Sequence, residues 1–212
     1  KNTFYFAIVT VLIKNIFGFL MALIVKKTSK FNTLLRAVVF LPMTISVMVV
    51  AIIFVSIYNP TNGIINEGLR ANGLDSLTRD WLFDARYSMN SICLMDIWQG
   101  TGFTMCVMIS GLQAIPTDYY EAAKIDGADK WQQLRYVTLP LLISSITKSL
   151  VFNIISGFKE FAQVYSTTNG GPADSTHVLG TFLFKSFGNG FLCYSAAVGL
   201  FTTVLIVALS MT

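Results

Sequence analysis

Glu121-Ala122-Ala123-Lys124-Ile125-Asp126-Gly127-Ala128, closed downstream by Leu139-Pro140, is a polar stretch set between two apolar runs of membrane length. A membrane protein rarely interrupts its spans with a compact, glycine-hinged helical pair unless something soluble docks there. The flanking runs, residues 89–113 and 141–164, are predominantly apolar. Three more runs, 3–25, 34–57 and 191–212, share that character. Each supplies the roughly 20 apolar residues that a helix needs to cross the hydrocarbon core.

With 54% hydrophobic and 12% charged residues in 212, the chain has no material for a water-facing shell around five buried helices. The expectation is an all-α membrane protein, a polytopic helical bundle of about five visible spans. The chain starts at Lys1, and its last apolar run stops at Thr212 without flanking basic residues. Both ends therefore read as cut, with at least one more span expected ahead of Lys1, and no signal peptide with a cleavage site is visible. The net charge of +4 comes with no basic patch interleaved with aromatics, so nucleic acid is not an expected partner. Cys93, Cys106 and Cys193 fall in apolar segments without CxxC spacing and read as small hydrophobes in helix packing.

Alternate loops must lie on one side of the membrane. Residues 26–36 carry Lys26, Lys27, Lys30 and Arg36 and no acid, which places them in the cytoplasm by the positive-inside rule. Residues 114–140, two spans later, share that side. Residues 58–87 and 165–190 are then outer loops, the first with turn signals at Asn59-Pro60-Thr61-Asn62-Gly63 and Ala71-Asn72-Gly73, the second at Thr168-Asn169-Gly170-Gly171-Pro172. Trp81 and Tyr87 suit the headgroup level. His177 reads as a solvated loop histidine rather than a metal ligand.

Within the insert, Thr117 is the expected N-cap after Pro116, with Asp118 and Glu121 in the first turn, where carboxylates favour the helix dipole. Asp126-Gly127 ends this helix, since glycine tolerates the left-handed conformation just past a C-terminus. A second short helix is expected from Asp129 to Tyr136, with Pro140 marking the start of the next span. The residues alone leave two readings open: a docking element for a soluble partner, or an amphipathic connector on the membrane surface.

Glu-Ala-Ala, three residues, Gly127, nine residues, Val137, one residue, then Leu139-Pro140 resembles the EAA motif of the membrane subunits of binding-protein-dependent ABC importers. The one departure is Val137 where Ile is usual. Phe40-Leu41-Pro42, Asn59-Pro60 through Gly63, Gly111-Leu112-Gln113-Ala114-Ile115-Pro116 and Asn169-Gly170-Gly171-Pro172 resemble the carbohydrate-uptake branch of that family, the maltose, lactose and glycerol-phosphate type permeases. The resemblance covers most of the chain. It implies a type I ABC importer transmembrane domain over 1–212, with a cytoplasmic coupling insert at 114–140 that sits in a groove of the ATPase subunit. By that resemblance Glu121 makes polar contacts to the ATPase, Ala122 and Ala123 pack in its groove, Gly127 sets the turn, and Leu139 and Pro140 close the motif. The implied partners are a second permease of related sequence, two cytoplasmic ABC ATPase subunits, an extracytoplasmic solute-binding protein met by Asn169, Gly170, Gly171 and Pro172, and membrane lipid. The implied location is the bacterial cytoplasmic (inner) membrane, multi-pass.

In the span from Leu141, the residues Ser145, Ser149, Asn153, Ser156, Glu160 and Gln163 recur at helical spacing and share one face. Such a stripe must face protein or water rather than lipid, as a solute path or as interhelical hydrogen bonding. Lys159 and Glu160, adjacent in sequence, point about 100° apart on a helix and make poor partners for each other. In 89–113, Gly100 and Gly102 flank Thr101, and paired glycines can break a helix and expose backbone to a solute. By similarity to the sugar permeases, Gln99, Gly100 and Phe103 lie in the region lining the substrate cavity, as do Lys159 and Glu160; Ser156 joins them from the stripe. Lys14 lies deep in the first span with no evident partner in sequence.

No G-x-x-x-x-G-K-[ST] phosphate loop occurs, and no metal-ligand spacing or nucleophile signature is present. The chain is therefore not expected to be an enzyme or to bind a cofactor. ATP and Mg belong to the partner ATPase. The expected function is that of a permease subunit, importing a sugar or related polyol by alternating access. Two alternatives stay open: import of glycerol phosphate or another small solute by the same kind of subunit, and an ion-coupled secondary carrier using Asp96, Glu160 and Lys14.

Overall fold

The computed structural model describes residues 1–27 and 29–210, so the last two residues of the run 191–212 lie outside the described residues. In chain order the helices are α1 (Asn2–Val25), α2 (Lys30–Thr44), α3 (Val47–Ile57), α4 (Ile64–Ala71), α5 (Ser88–Gln113), α6 (Thr117–Ile125), α7 (Lys130–Gln133), α8 (Leu139–Phe158), α9 (Ala162–Thr167), α10 (Leu179–Gly188) and α11 (Leu192–Ser210). A π-type turn over Leu134–Thr138 joins α7 to α8, and no strand occurs among the described residues.

α1, α5, the run Lys130–Phe158 and α11 are each long and apolar enough to cross a membrane. At 1.5 Å per residue, even a 20-residue helix spans about 30 Å. The span expected at 34–57 is not one rod. α2 ends at Thr44 and α3 begins at Val47, and the chain leaves helical geometry at Ile45 and Ser46 between them. Pro42 lies inside α2; without an N–H it cannot donate to the carbonyl four residues back, and α2 ends two residues later.

Two further expectations are corrected. The helix expected over 141–164 stops at Phe158, so Glu160 lies in the break before α9, and Gln163 belongs to α9 rather than to one continuous stripe. The second helix of the insert does not end ahead of Pro140: α7, the π turn and α8 form one continuous run. A proline within a helix would collide with the carbonyl four residues earlier, here that of Tyr136. The wider π turn contains Tyr136 and leaves room for the ring.

The chain packs as two compact units. The first comprises Lys1–Val11, Ile45–Gln99 and Asn153–Thr212. Ala7, Phe158 and Ile206 form one buried apolar cluster in it, with the Phe4 ring edge-on to Phe158 at 5.1 Å. In the loop 58–87, the buried Asn66 donates to the carbonyls of Pro60 and Arg79 and accepts from Trp81 Nε1 at 2.9 Å. One buried amide thus pins three points of the loop, and Trp81 is held by protein.

The second unit comprises Leu12–Thr44 and Gly100–Phe152. Its core is Ala22, Val25, Met105, Met108, Ile109, Leu112 and Leu142. Helices in lipid associate through close packing rather than a hydrophobic drive, and small residues make that possible here. A Cβ on Gly102 would stand 2.3 Å from the carbonyl oxygen of Val39, so α5 and α2 touch backbone to backbone. Arg36 reaches back to close the C-terminus of α1, donating to Val25 O (2.6 and 3.1 Å) and Lys26 O (3.2 Å), where a cation also complements the helix dipole. Of the cysteines, Cys93 is buried and Cys106 half-buried, while Cys193 is exposed rather than packed.

Candidate functional site

The insert is a short helix ended by a complete glycine cap. Pro116, not Thr117, occupies the N-cap of α6, and Thr117 is its first helical residue; no side-chain cap is made there. At the other end Gly127 has φ +79°. Its N–H donates to Lys124 O (3.0 Å), and the next, Ala128 N–H, donates to Ala123 O (2.8 Å). That pair of bonds is the Schellman arrangement, which needs a left-handed residue at the position Gly127 holds. The chain is then restarted by a capping box in which Asp129 accepts from Gln132 N (2.7 Å) and Gln132 Oε1 accepts from Asp129 N (2.8 Å).

Glu121 and Ala122 are exposed, Ala123 is half-buried, and nothing lies within 4 Å of where a side chain on Gly127 would begin. Ile125 is 87% exposed, and Trp131 and Tyr136 are exposed as well. Leu139 is half-buried and Pro140 exposed. The insert thus offers an acid, a small-residue surface and apolar side chains, with its backbone held by caps at both sides of the turn.

The residues expected to line a solute path fall in two groups. In the first unit, Gln99 is buried and its Nε2 donates to the carbonyl of Ile45 (2.9 Å), the residue at the bend between α2 and α3. Gln163 Nε2 donates to Gln99 Oε1 (2.9 Å), and Glu160 Oε1 accepts from Gln163 N (2.8 Å). The result is a carboxylate and two amides in sequence, ending on a backbone carbonyl that the bend would otherwise leave unpaired in an apolar setting. Gln163 Oε1 is buried with no hydrogen-bond partner among the described residues. Ser156 and Glu160 are half-buried, and Lys159 is exposed.

In the second unit, α5 runs unbroken through Gly100 and Gly102, contrary to the expected helix break. Gly100 instead accommodates Lys14: a Cβ there would meet the Lys14 chain at 2.7 Å and its Nζ at 3.3 Å, and Lys14 is 2% exposed. Phe103 pairs with Phe152 on α8, ring centroids 4.2 Å apart and tilted by 33°. Reading the sequence alone missed Phe152. The signal was available, because Phe152 is three residues from Ser149 and four from Ser156 and so shares their face. Of the polar stripe in this unit, Ser149 is buried and Ser145 half-buried; Asn153, which opens the next stretch of the first unit, is buried as well.

The loop at Asn169–Pro172 is a tied structure. Asn169, Ala173 and Asp174 have positive φ (52°, 47° and 58°), and Thr176 braces the turn through Thr168 Oγ1 (2.7 Å) and Gly171 O (2.7 Å). Asn2 Nδ2 holds it from α1 by donating to Ser175 O (3.0 Å). Asn169 is exposed, Gly171 and Pro172 are half-buried, and Gly170 is buried under the ring of His177. His177 is therefore not solvated as expected. It bonds Thr181 Oγ1 through Nδ1 (3.0 Å) and faces Asp174 at 3.3 Å.

Residues 14–212 match the family model described as "Binding-protein-dependent transport system inner membrane component". The chain is 36% identical to the probable ABC transporter permease protein YurN of Bacillus subtilis (strain 168), over 99% of this chain and 72% of that relative. It is 31% identical to the trehalose/maltose transport system permease protein MalF of Thermococcus litoralis, over 97% of this chain and 69% of the relative. In fold it superposes with TM-score 0.89, at 24% identity, on a chain of a bacterial alginate ABC transporter crystallised in complex with an alginate pentasaccharide-bound periplasmic protein, covering 100% of this chain and 74% of that one.

Proposed function

This chain belongs to the family of binding-protein-dependent transport system inner membrane components, and we propose that it forms the solute path for a sugar or related polyol in the cytoplasmic membrane of a bacterium. ATP and Mg act on two partner ATPase subunits, a second permease completes the path, and a solute-binding protein delivers the cargo from outside. The observation that carries this reading is the insert itself. A helix capped by Gly127 at φ +79° presents Glu121, Ala122 and Ile125 outward on a mount stiff enough to be pushed.

Alternating access follows from such a mount. Closure of the ATPase pair displaces α6, the run through Pro140 moves with it, and the bundle opens outward to the loaded binding protein. A sugar presents hydroxyls around its rim, which suit amides and a carboxylate; Gln99, Gln163 and Glu160 supply these in the first unit. The C–H groups on its faces suit aromatic rings, and the second unit holds such a pair in Phe103 and Phe152. The trehalose/maltose permease relative supports the same class.

The test is ATP-dependent uptake of a panel of labelled mono- and oligosaccharides by the assembled transporter in vesicles, with and without Gly127→Asp. Uptake of a sugar by the wild type and its loss in the variant, with the protein still in the membrane, is the expected result. Uptake that persists in the variant defeats the coupling role. Uptake driven by an ion gradient without ATPase defeats the importer reading.

A further inference from the structure

α6 meets the rest of its unit through a narrow contact. Tyr120 and Ala123 are half-buried, and its other residues are exposed. Tyr120 Oη lies 3.0 Å from Thr138 Oγ1. Thr138 is 2% exposed, and its hydroxyl donates to the carbonyl of Gln133 at 3.3 Å. With the threonine proton committed to Gln133, Tyr120 is the donor of the first bond. The chain runs from phenol to threonine hydroxyl to backbone carbonyl, and bonds in such a chain polarise and strengthen one another.

Position gives this chain its meaning. Thr138 closes the π turn, and Leu139 begins α8. π turns are rare, occur mostly singly, and concentrate at functional sites. The covalent route from α6 to α8 runs the long way, through the capped Gly127 turn and α7. The hydroxyl chain bypasses that turn and delivers a displacement of α6 to the first residue of α8.

We propose that the Tyr120–Thr138–Gln133 chain is the strut by which movement of α6 is passed to α8, with the π turn as its seat. This rests on reading the insert as the coupling element. Tyr120 and Thr138 are positioning residues.

The experiment is amide hydrogen exchange on the assembled transporter in nanodiscs, without nucleotide and with Mg-ATP and vanadate, following peptides over 117–125 and 139–158. In the wild type both peptides respond to nucleotide. In Tyr120→Phe and in Thr138→Val the response at 117–125 persists, while that at 139–158 falls about fivefold, the factor matching one ordinary net hydrogen bond. Exchange without nucleotide is unchanged, and Thr138→Ser behaves as wild type. A merely structural role would instead alter the nucleotide-free exchange. An undiminished response at 139–158 in both hydroxyl-deleting variants overturns the strut and leaves the coupling reading standing. Absence of any response at 117–125 in the wild type overturns the coupling reading and the strut with it.

Discussion

Gly127→Ala isolates how much the insert depends on one backbone angle. At φ +79° an L-residue brings its Cβ against the following carbonyl, costing about 1–2 kcal/mol. Nothing else stands within 4 Å of the new methyl group, so no packing term is added. The opened chain loses conformational freedom when Gly becomes Ala, which offsets about 0.4–1 kcal/mol of that cost. The net is about 1 kcal/mol, or about fivefold in the local opening equilibrium. The amides that report it are Gly127 N–H, bonded to Lys124 O at 3.0 Å, and Ala128 N–H, bonded to Ala123 O at 2.8 Å. Their exchange is expected to quicken about fivefold in Gly127→Ala and by less in Gly127→Asn, because asparagine tolerates the left-handed region. Wild-type exchange in the alanine variant, or faster exchange in asparagine than in alanine, would refute the reasoning.

Three further outcomes follow from the packing. Gly102→Ala drives a methyl group to 2.3 Å from the Val39 carbonyl and 2.8 Å from Phe40 Cα; backbone cannot step aside, so thermal stability in detergent falls by the equivalent of about 1–3 kcal/mol, whereas Gly68→Ala, with open space around it, shows no such loss. Arg36→Met keeps the aliphatic stem but removes the bonds to Val25 O and Lys26 O, costing about 1.5–3 kcal/mol and raising amide exchange in the last turn of α1. Glu160→Ala removes the acceptor for Gln163 N–H and is expected to change solute affinity or range in uptake assays while basal ATPase activity of the complex is retained; a change confined to expression level would make Glu160 structural.

Where the sequence was legible, one strong physical signal stood alone. α1 and α5 were found within one or two residues because unbroken apolar runs of more than 20 residues have few alternatives in water or lipid. Gly127 was found because a left-handed turn leaves few other choices. Expectations failed where two signals compete. Pro42 and Pro140 look alike in sequence. Yet α2 ends soon after the first, while the helix continues through the second behind a π turn, and that difference depends on how neighbouring carbonyls are satisfied. The Gln99–Gln163 pair joins residues 64 apart in the chain, and the Phe103–Phe152 pair joins two helices; no periodicity within one helix reports either contact. Gly100 looked like a helix breaker, and only the buried Lys14 beside it explains why a side chain is missing there.

The central claim is that the insert is gripped from the cytoplasm by a nucleotide-hydrolysing partner. A photo-crosslinker placed at Ile125, 87% exposed at the end of α6, tests it directly in the assembled transporter in native membranes. The account predicts an adduct with the ATPase subunit whose yield changes when Mg-ATP and vanadate are added. An adduct with the extracytoplasmic binding protein, or labelling of that position by an impermeant reagent from outside the cell, would contradict it.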